Sequence, residues 1–150
     1  MLSIAFCDDE PIMLEELFNV VKGYIDSKKV EFTADLFESG EEFVEKGVRC
    51  RKYDIVFLDI EMKEMNGLEA AAWFRKLNEQ SKVIFVSSHV EYTLDAFKVA
   101  AFRYIIKNKD TMTQAVQEAI MYLLWQDVHS IFGNRKIIGM GLFVFIKVTW

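Results

Sequence analysis

Four polar stretches each follow an apolar run directly. Asp8, Asp9 and Glu10 follow LSIAFC, Asp59 follows DIVFL, Ser87 and Ser88 follow VIFV, and Lys107 follows FRYII. Taken singly, each has a bland explanation. A carboxylate after a strand caps a turn or helix, a serine satisfies nearby backbone, and a lysine is solvated. Gathered at one rim, they would do chemistry. Converging carboxylates raise each other's proton affinity. A hard divalent cation such as Mg²⁺ takes oxygen ligands, commonly bridges to phosphate, and keeps such acids ionised. Lys107 supplies a second positive charge. The set suits a metal ion plus a phosphoryl group, with Asp59 as an exposed nucleophile fixed by the apolar run behind it.

The elements between these residues decide whether they meet. Leu2 to Cys7 reads as a buried strand. Pro11 suits a first helical turn, and Leu14, Leu17, Val21, Tyr24 and Ile25 give an apolar face up to about Ser27. Val30 to Ala34 reads as a second strand. Ser39 and Glu42 have capping-box spacing for a short helix ending near Gly47. Ile55 to Leu58 shows no polar alternation, as expected of a strand covered on both faces. A helix is expected from Gly67 to about Leu77, a strand from Val83 to Val86, a short helix from Tyr92 to about Val99, and a strand from Phe102 to Ile106. Asp110 is the expected cap of the last helix, whose face runs from Met112 through Val116, Ala119, Ile120 and Leu123 to Leu124. Five strands alternating with five helices make a doubly wound parallel α/β sheet. In such a sheet ligands bind beyond the carboxyl ends of the strands, where the four polar stretches fall.

Composition narrows the classes. The chain has 150 residues, 52% of them apolar, which argues against disorder and suits one domain with a short extension. Net charge is −5 with no basic block, which disfavours nucleic-acid binding by these residues. Cys7 and Cys50 sit beside apolar residues and read as reduced core thiols, a disulfide being the alternative. MLSIAFCDDE lacks the basic start and apolar core of a signal peptide. No window of eighteen uncharged apolar residues occurs, so no membrane partner is expected. A reducing cytoplasm fits.

IAFCDDEP, YDIVFLDIEMKEMNGLEAA and KVIFVSSHVEYTLDAFKVAAFRYIIK together resemble the receiver domains of bacterial two-component response regulators. EYTLDAFKVAAFRYIIK points to the LytTR/AgrA-like subgroup. The resemblance implies a (βα)5 flavodoxin-like fold of strand order 2-1-3-4-5. It implies phosphorylation of Asp59 by a cognate histidine kinase, and Mg²⁺ held by Asp8, Asp9, Asp59 and the backbone carbonyl of Glu61. Ser87 matches the switch hydroxyl, Tyr104 the aromatic that moves with it, Lys107 the phosphate-pairing lysine, and Gly67 the loop-closing glycine. Homodimerisation on activation is implied, through the face of residues 92–99 and 102–107.

Three positions depart from the pattern. Lys63 and Asn108 stand where proline is usual, and Asn66 where aspartate is common. A cis non-proline bond costs about 2.5–4 kcal/mol, so a trans Lys107–Asn108 bond is expected, with Lys107 reaching the pocket from a shifted backbone. His89 reads as a loop residue able to touch the pocket rim, and His129 as linker.

The receiver reading covers residues 1–126. Residues 127–150 read as a linker and a strand-like tail, IIGMGLFVFIKVTW, an aggregation hazard unless paired. The tail reads as the start of a LytTR-type DNA-binding domain otherwise absent from this chain, so DNA is a partner only through that domain. Other readings are a stand-alone phosphorylation-dependent interaction module, a receiver that takes no phosphate, and a phosphatase of the haloacid dehalogenase type. The last usually has an aspartate two positions after the nucleophile, where Glu61 stands. The protein is therefore expected to catalyse only its own phosphorylation and dephosphorylation.

Overall fold

Side-chain alternation along the strands sorts the core into two layers. The computed structural model describes residues 1–132, with side chains for residues 1–126. The order is β1 (Leu2–Cys7), α1 (Pro11–Ser27), β2 (Phe32–Phe37), α2 (Gly40–Glu45), a 3-10 turn (Gly47–Lys52), β3 (Ile55–Leu58), α3 (Gly67–Leu77), β4 (Lys82–Ser87), α4 (Thr93–Lys98), β5 (Arg103–Ile106) and α5 (Met112–Phe132). The strands form one parallel sheet of order β2-β1-β3-β4-β5, as expected. Ile4, Phe6, Ile55, Phe57, Ile84 and Val86 face α1 and α5. Their neighbours Ala5, Cys7, Val56, Leu58, Val83 and Phe85 face the layer of α2, α3 and α4. Each central strand is thus buried on both faces, which is why its sequence lacks polar alternation. Phe6 and Phe57 stack in parallel at 5.1 Å between centroids, on adjacent strands.

The expected second strand is displaced. It runs over Phe32–Phe37, not Val30–Ala34, in register from Leu2↔Phe32 to Cys7↔Phe37. The cause is the end of α1: Lys29 takes a left-handed φ of 56°, and the Val30 amide still donates to Ile25 O. The strand extends past Ala34 because Asp35, on the partly exposed sheet edge, is satisfied by the Tyr53 hydroxyl at 2.6 Å and Lys52 at 3.0 Å. The 3-10 turn was not anticipated either; it buries Cys50 behind Gly47, whose φ of 58° ends α2.

Two caps bear on the site. Ser39 accepts from the Glu42 amide, while Glu42 reaches back to the Glu38 amide, a capping box shifted by one residue. Asp110 does not cap α5 as expected. Asn108 organises that turn instead, its side chain accepting from the Asp110 amide and its carbonyl from Met112 N. No peptide bond among the described residues is cis, so Lys107–Asn108 is trans, as expected. Cys7 and Cys50 are free buried thiols. Helix α5 continues past residue 126 to Phe132 and takes in His129, which was expected in a linker. No proline or glycine interrupts that stretch before Gly133. The strand-like tail lies outside the described residues.

Arg75 fastens the far end of the sheet. Its guanidinium donates to Val99 O at 2.8 Å, Ser81 O at 2.6 Å and Ala100 O at 2.9 Å. Those carbonyls flank β4 and the loop before β5, where Ala100 has a φ of 53°. Arg75→Ala leaves them without their charged donor and is expected to cost about 2–3 kcal/mol, read as a lower urea midpoint at unchanged slope. Arg75→Lys should recover less than half of that, because one ammonium cannot span the fork.

Candidate functional site

The strand register brings the four polar stretches to one rim. Cys7 pairs with Leu58, so Asp8 and Asp59 leave adjacent strands side by side, and the Asp59 amide donates to Cys7 O at 2.9 Å. Ser87 is paired with Ile106, so Lys107 leaves β5 beside it, its amide donating to Ser87 O at 2.8 Å. Lys107 turns inward. Its Nζ lies 2.8 Å from Asp8 Oδ2, 3.3 Å from Asp59 Oδ2 and 3.9 Å from Glu10 Oε1. Side-chain exposure is 4% for Lys107, 3% for Asp8 and 5% for Asp59, so this is a buried ion cluster.

Asp59 is therefore not the exposed nucleophile anticipated. The Lys107 ammonium sits against its carboxylate, and only 4% of the residue is accessible. Burial first, then the charge of Asp8, pushes its carboxyl up to about 7 against the pull of Lys107. Burial works against the Lys107 charge, but the bonds and charges of Asp8 and Asp59 outweigh it and hold the ammonium above its ordinary value.

Asp8, Asp9 and Glu10 present carboxylate oxygens within 4.8 Å of one another. Glu10 thus joins the expected acidic pair. Asp8 Oδ1 also accepts from the Glu10 amide at 2.9 Å, which sets its rotamer. These are hard oxygen donors, as Mg²⁺ requires. The donor set fits such an ion, with Asp59 tied to it through the shared lysine.

Glu61 separates into two parts. Its carboxylate turns away to the rim, where it meets His89 Nε2 at 2.8 Å and the Tyr92 hydroxyl at 2.9 Å. His89 Nδ1 lies 2.9 Å from Glu91. This carboxylate is thus engaged away from the acids, and the receiver resemblance assigns the metal role to the Glu61 backbone carbonyl instead. Ser87 is fully buried, its hydroxyl accepting from the His89 amide at 3.1 Å. Tyr104 is half-buried, and its hydroxyl donates to His89 O. The loop after β3 and the loop after β4 are thus joined through His89. That latch was missed in the sequence, although Glu61 and His89 both follow adjacent strand ends.

A parallel (βα)5 sheet carrying acids after β1, a carboxylate after β3, a hydroxyl after β4 and a lysine after β5 has the layout of a phosphoacceptor signalling module. The chain belongs to the response regulator receiver domain family, which matches residues 4–117. It is 31% identical over 103 residues to the transcriptional regulatory protein LytR of Staphylococcus aureus strain N315, covering 67% of this chain and 39% of that one. It is 35% identical over 112 residues to the sensory transduction protein LytT of Bacillus anthracis, covering 73% and 43%. The chain therefore spans about two fifths of the length of these curated relatives. Among solved structures, the response regulator TrrA of Thermotoga maritima, in complex with Mg²⁺-BeF, is 30% identical with a TM-score of 0.60, over 82% of this chain and 99% of that one. Residues 4–117 are thus those of a phosphoacceptor receiver domain.

Proposed function

We propose that Asp59 is the phosphoacceptor of a two-component response regulator, charged by a cognate histidine kinase. The observation that carries this is the Lys107 ammonium held between Asp8 and Asp59. It lies where one oxygen of a phosphoryl group on Asp59 would arrive. Asp8, Asp9, Asp59 and the Glu61 backbone carbonyl would hold Mg²⁺. The bound ion supplies charge neutralisation for the phosphoryl oxygens. Asp59 Oδ attacks the donor's phosphorus in line, and the bond to the donor breaks as the new one forms. Lys107 then exchanges a carboxylate partner for a phosphoryl oxygen. Ser87 supplies a hydroxyl donor to another oxygen; if Oγ rotates toward it, the bond it accepts from His89 N is disturbed, and the change reaches Tyr104 through His89 O.

The test is intact-mass measurement after incubation with acetyl phosphate. One phosphoryl mass is expected with Mg²⁺ and none with EDTA. No gain where a control receiver labels fully would overturn the reading.

The likeness to LytR and LytT supports a LytTR/AgrA-like cytoplasmic regulator whose output is transcription, with residues 127–150 leading into a DNA-binding domain. No described helix is long and apolar enough to cross a membrane. Homodimerisation on activation is supported by Val90, Leu94 and Phe97, exposed by 65%, 77% and 74% along one face of α4 and its approach. The same stripe favours the second reading, an interaction module without DNA-binding output. Size in solution with and without phosphodonor separates phosphorylation-driven from constitutive association.

A further inference from the structure

Seven residues, 60–66, join Asp59 to α3 at Gly67, and they hold neither proline nor glycine. Nothing in that composition prescribes one backbone path. The path is held from outside. Gly67 N donates to Ile60 O at 2.8 Å at its end. In its middle, Met62 Sδ lies 3.7 Å from the Cys7 thiol. Its last turn is held by α2: Met65 N donates to Glu41 Oε1 at 2.6 Å, a bond between residues 24 apart in sequence. Packing places Met65 there independently. A Cβ on Gly40 would meet Met65 O at 2.9 Å and Met65 Cβ at 3.1 Å, so the first residue of α2 leaves room for this loop.

We propose that Glu41 is a positioning residue for the phosphoacceptor site, clamping the loop so that the Glu61 backbone carbonyl is presented to the cation. The metal half of this proposal rests on the phosphoacceptor reading above. The bond is charge-assisted and fixes an amide that would otherwise turn to water. Glu41 stands in the first turn of α2, where the helix dipole favours its charge. Its carboxylate is held below the ordinary range by its own amide and that of Met65. A loop free to sample other paths presents the carbonyl for only part of the time, and cation affinity falls by that fraction.

The neighbour Glu42 provides a control. It carries the same charge on the same turn but bonds the Glu38 amide, away from the loop. Two measurements test the clamp. The first is hydrogen exchange at the Met65 amide in EDTA, without metal or phosphodonor. Glu41→Ala is expected to lower its protection about tenfold, while Glu41→Gln, which keeps an acceptor oxygen, stays within about threefold of wild type. The second is the Mg²⁺ dissociation constant by calorimetry. Glu41→Ala is expected to weaken it about tenfold, with Glu41→Gln and Glu42→Ala within about threefold of wild type. Equal exchange in wild type and Glu41→Ala overturns the proposal. So does an affinity unchanged in Glu41→Ala, or weakened alike in Glu42→Ala, which would mark a charge effect. A wild type that binds no Mg²⁺ overturns the parent reading and this one with it, an outcome distinct from a variant that merely matches wild type.

Discussion

Asp59→Asn is expected to abolish phosphoryl acceptance and, in EDTA, to make the protein more stable at about pH 8. Asparagine is nearly isosteric with aspartate but carries no charge and cannot form the acyl phosphate, so labelling by acetyl phosphate should fall at least about 100-fold. The stability effect comes from burial. The Asp59 carboxyl is raised to about 7 by its surroundings, chiefly desolvation and Asp8. A carboxyl raised in the folded state favours folding when protonated. That contribution is complete below its ordinary value near 4 and is lost as the pH climbs through about 7. Above that, the ionised group costs the fold up to about 4 kcal/mol, because each tenfold rise in proton affinity is worth about 1.4 kcal/mol. Asparagine removes the cost, but also takes one anion from Lys107, so a net gain of about 1–3 kcal/mol is expected. Urea midpoints at about pH 8 and about pH 4 check the sign, since the advantage should vanish at the lower value. An asparagine variant less stable than wild type at the higher pH would mean that the Lys107 pairing outweighs burial. Added Mg²⁺ should reverse the order, because it stabilises the wild-type pocket by binding and the variant less.

The same cluster shows what the sequence could disclose. Asp8, Asp59, Ser87 and Lys107 were legible because each ends a run of apolar residues, and parallel strands with right-handed crossovers bring such ends to one edge. Burial of Asp59 was not legible. It depends on how far Lys107 folds inward and on where the 60–66 loop lies, and both are tertiary. Central strands were found nearly to the residue, because two buried faces leave an unbroken apolar signature. Strand β2 was misplaced, because an edge strand half open to water has no such signature. The cap of α3 had a usable signal that went unread: Asn66 and Glu69 have capping-box spacing, and Asn66 accepts from the Glu69 amide at 2.9 Å. Glu41, Arg75 and Tyr92 left no local trace. Met65 for Glu41, Val99 for Arg75 and Glu61 for Tyr92 lie 24 to 31 residues away in sequence, across elements whose contact only the fold supplies.

Gly67→Ala and Gly23→Ala make the same chemical change and are expected to have opposite effects. Gly23 lies inside α1, and a Cβ there meets nothing within 4 Å. Alanine lowers the backbone entropy of the unfolded chain and suits a helix, so Gly23→Ala should stabilise by about 0.5–1 kcal/mol. At Gly67 a Cβ would stand 1.9 Å from Asp59 O, 2.8 Å from Asp59 C and 3.0 Å from Ile60 Cα. Gly67 does not occupy the left-handed region, so its demand is for space and not for backbone freedom. All three obstructing atoms are backbone, and no rotamer change can clear them. Either α3 retreats, which breaks the Gly67 N to Ile60 O bond and unpacks Ala70, Ala71 and Phe74, or the Asp59 carbonyl moves. The first route should cost at least about 3 kcal/mol, seen as a lowered urea midpoint. The second displaces the phosphoacceptor relative to Lys107 and Asp8, so any protein that still folds in the cold should label more slowly than wild type. Wild-type stability and wild-type labelling together in Gly67→Ala would mean that the chain after Asp59 does not cross α3 this closely.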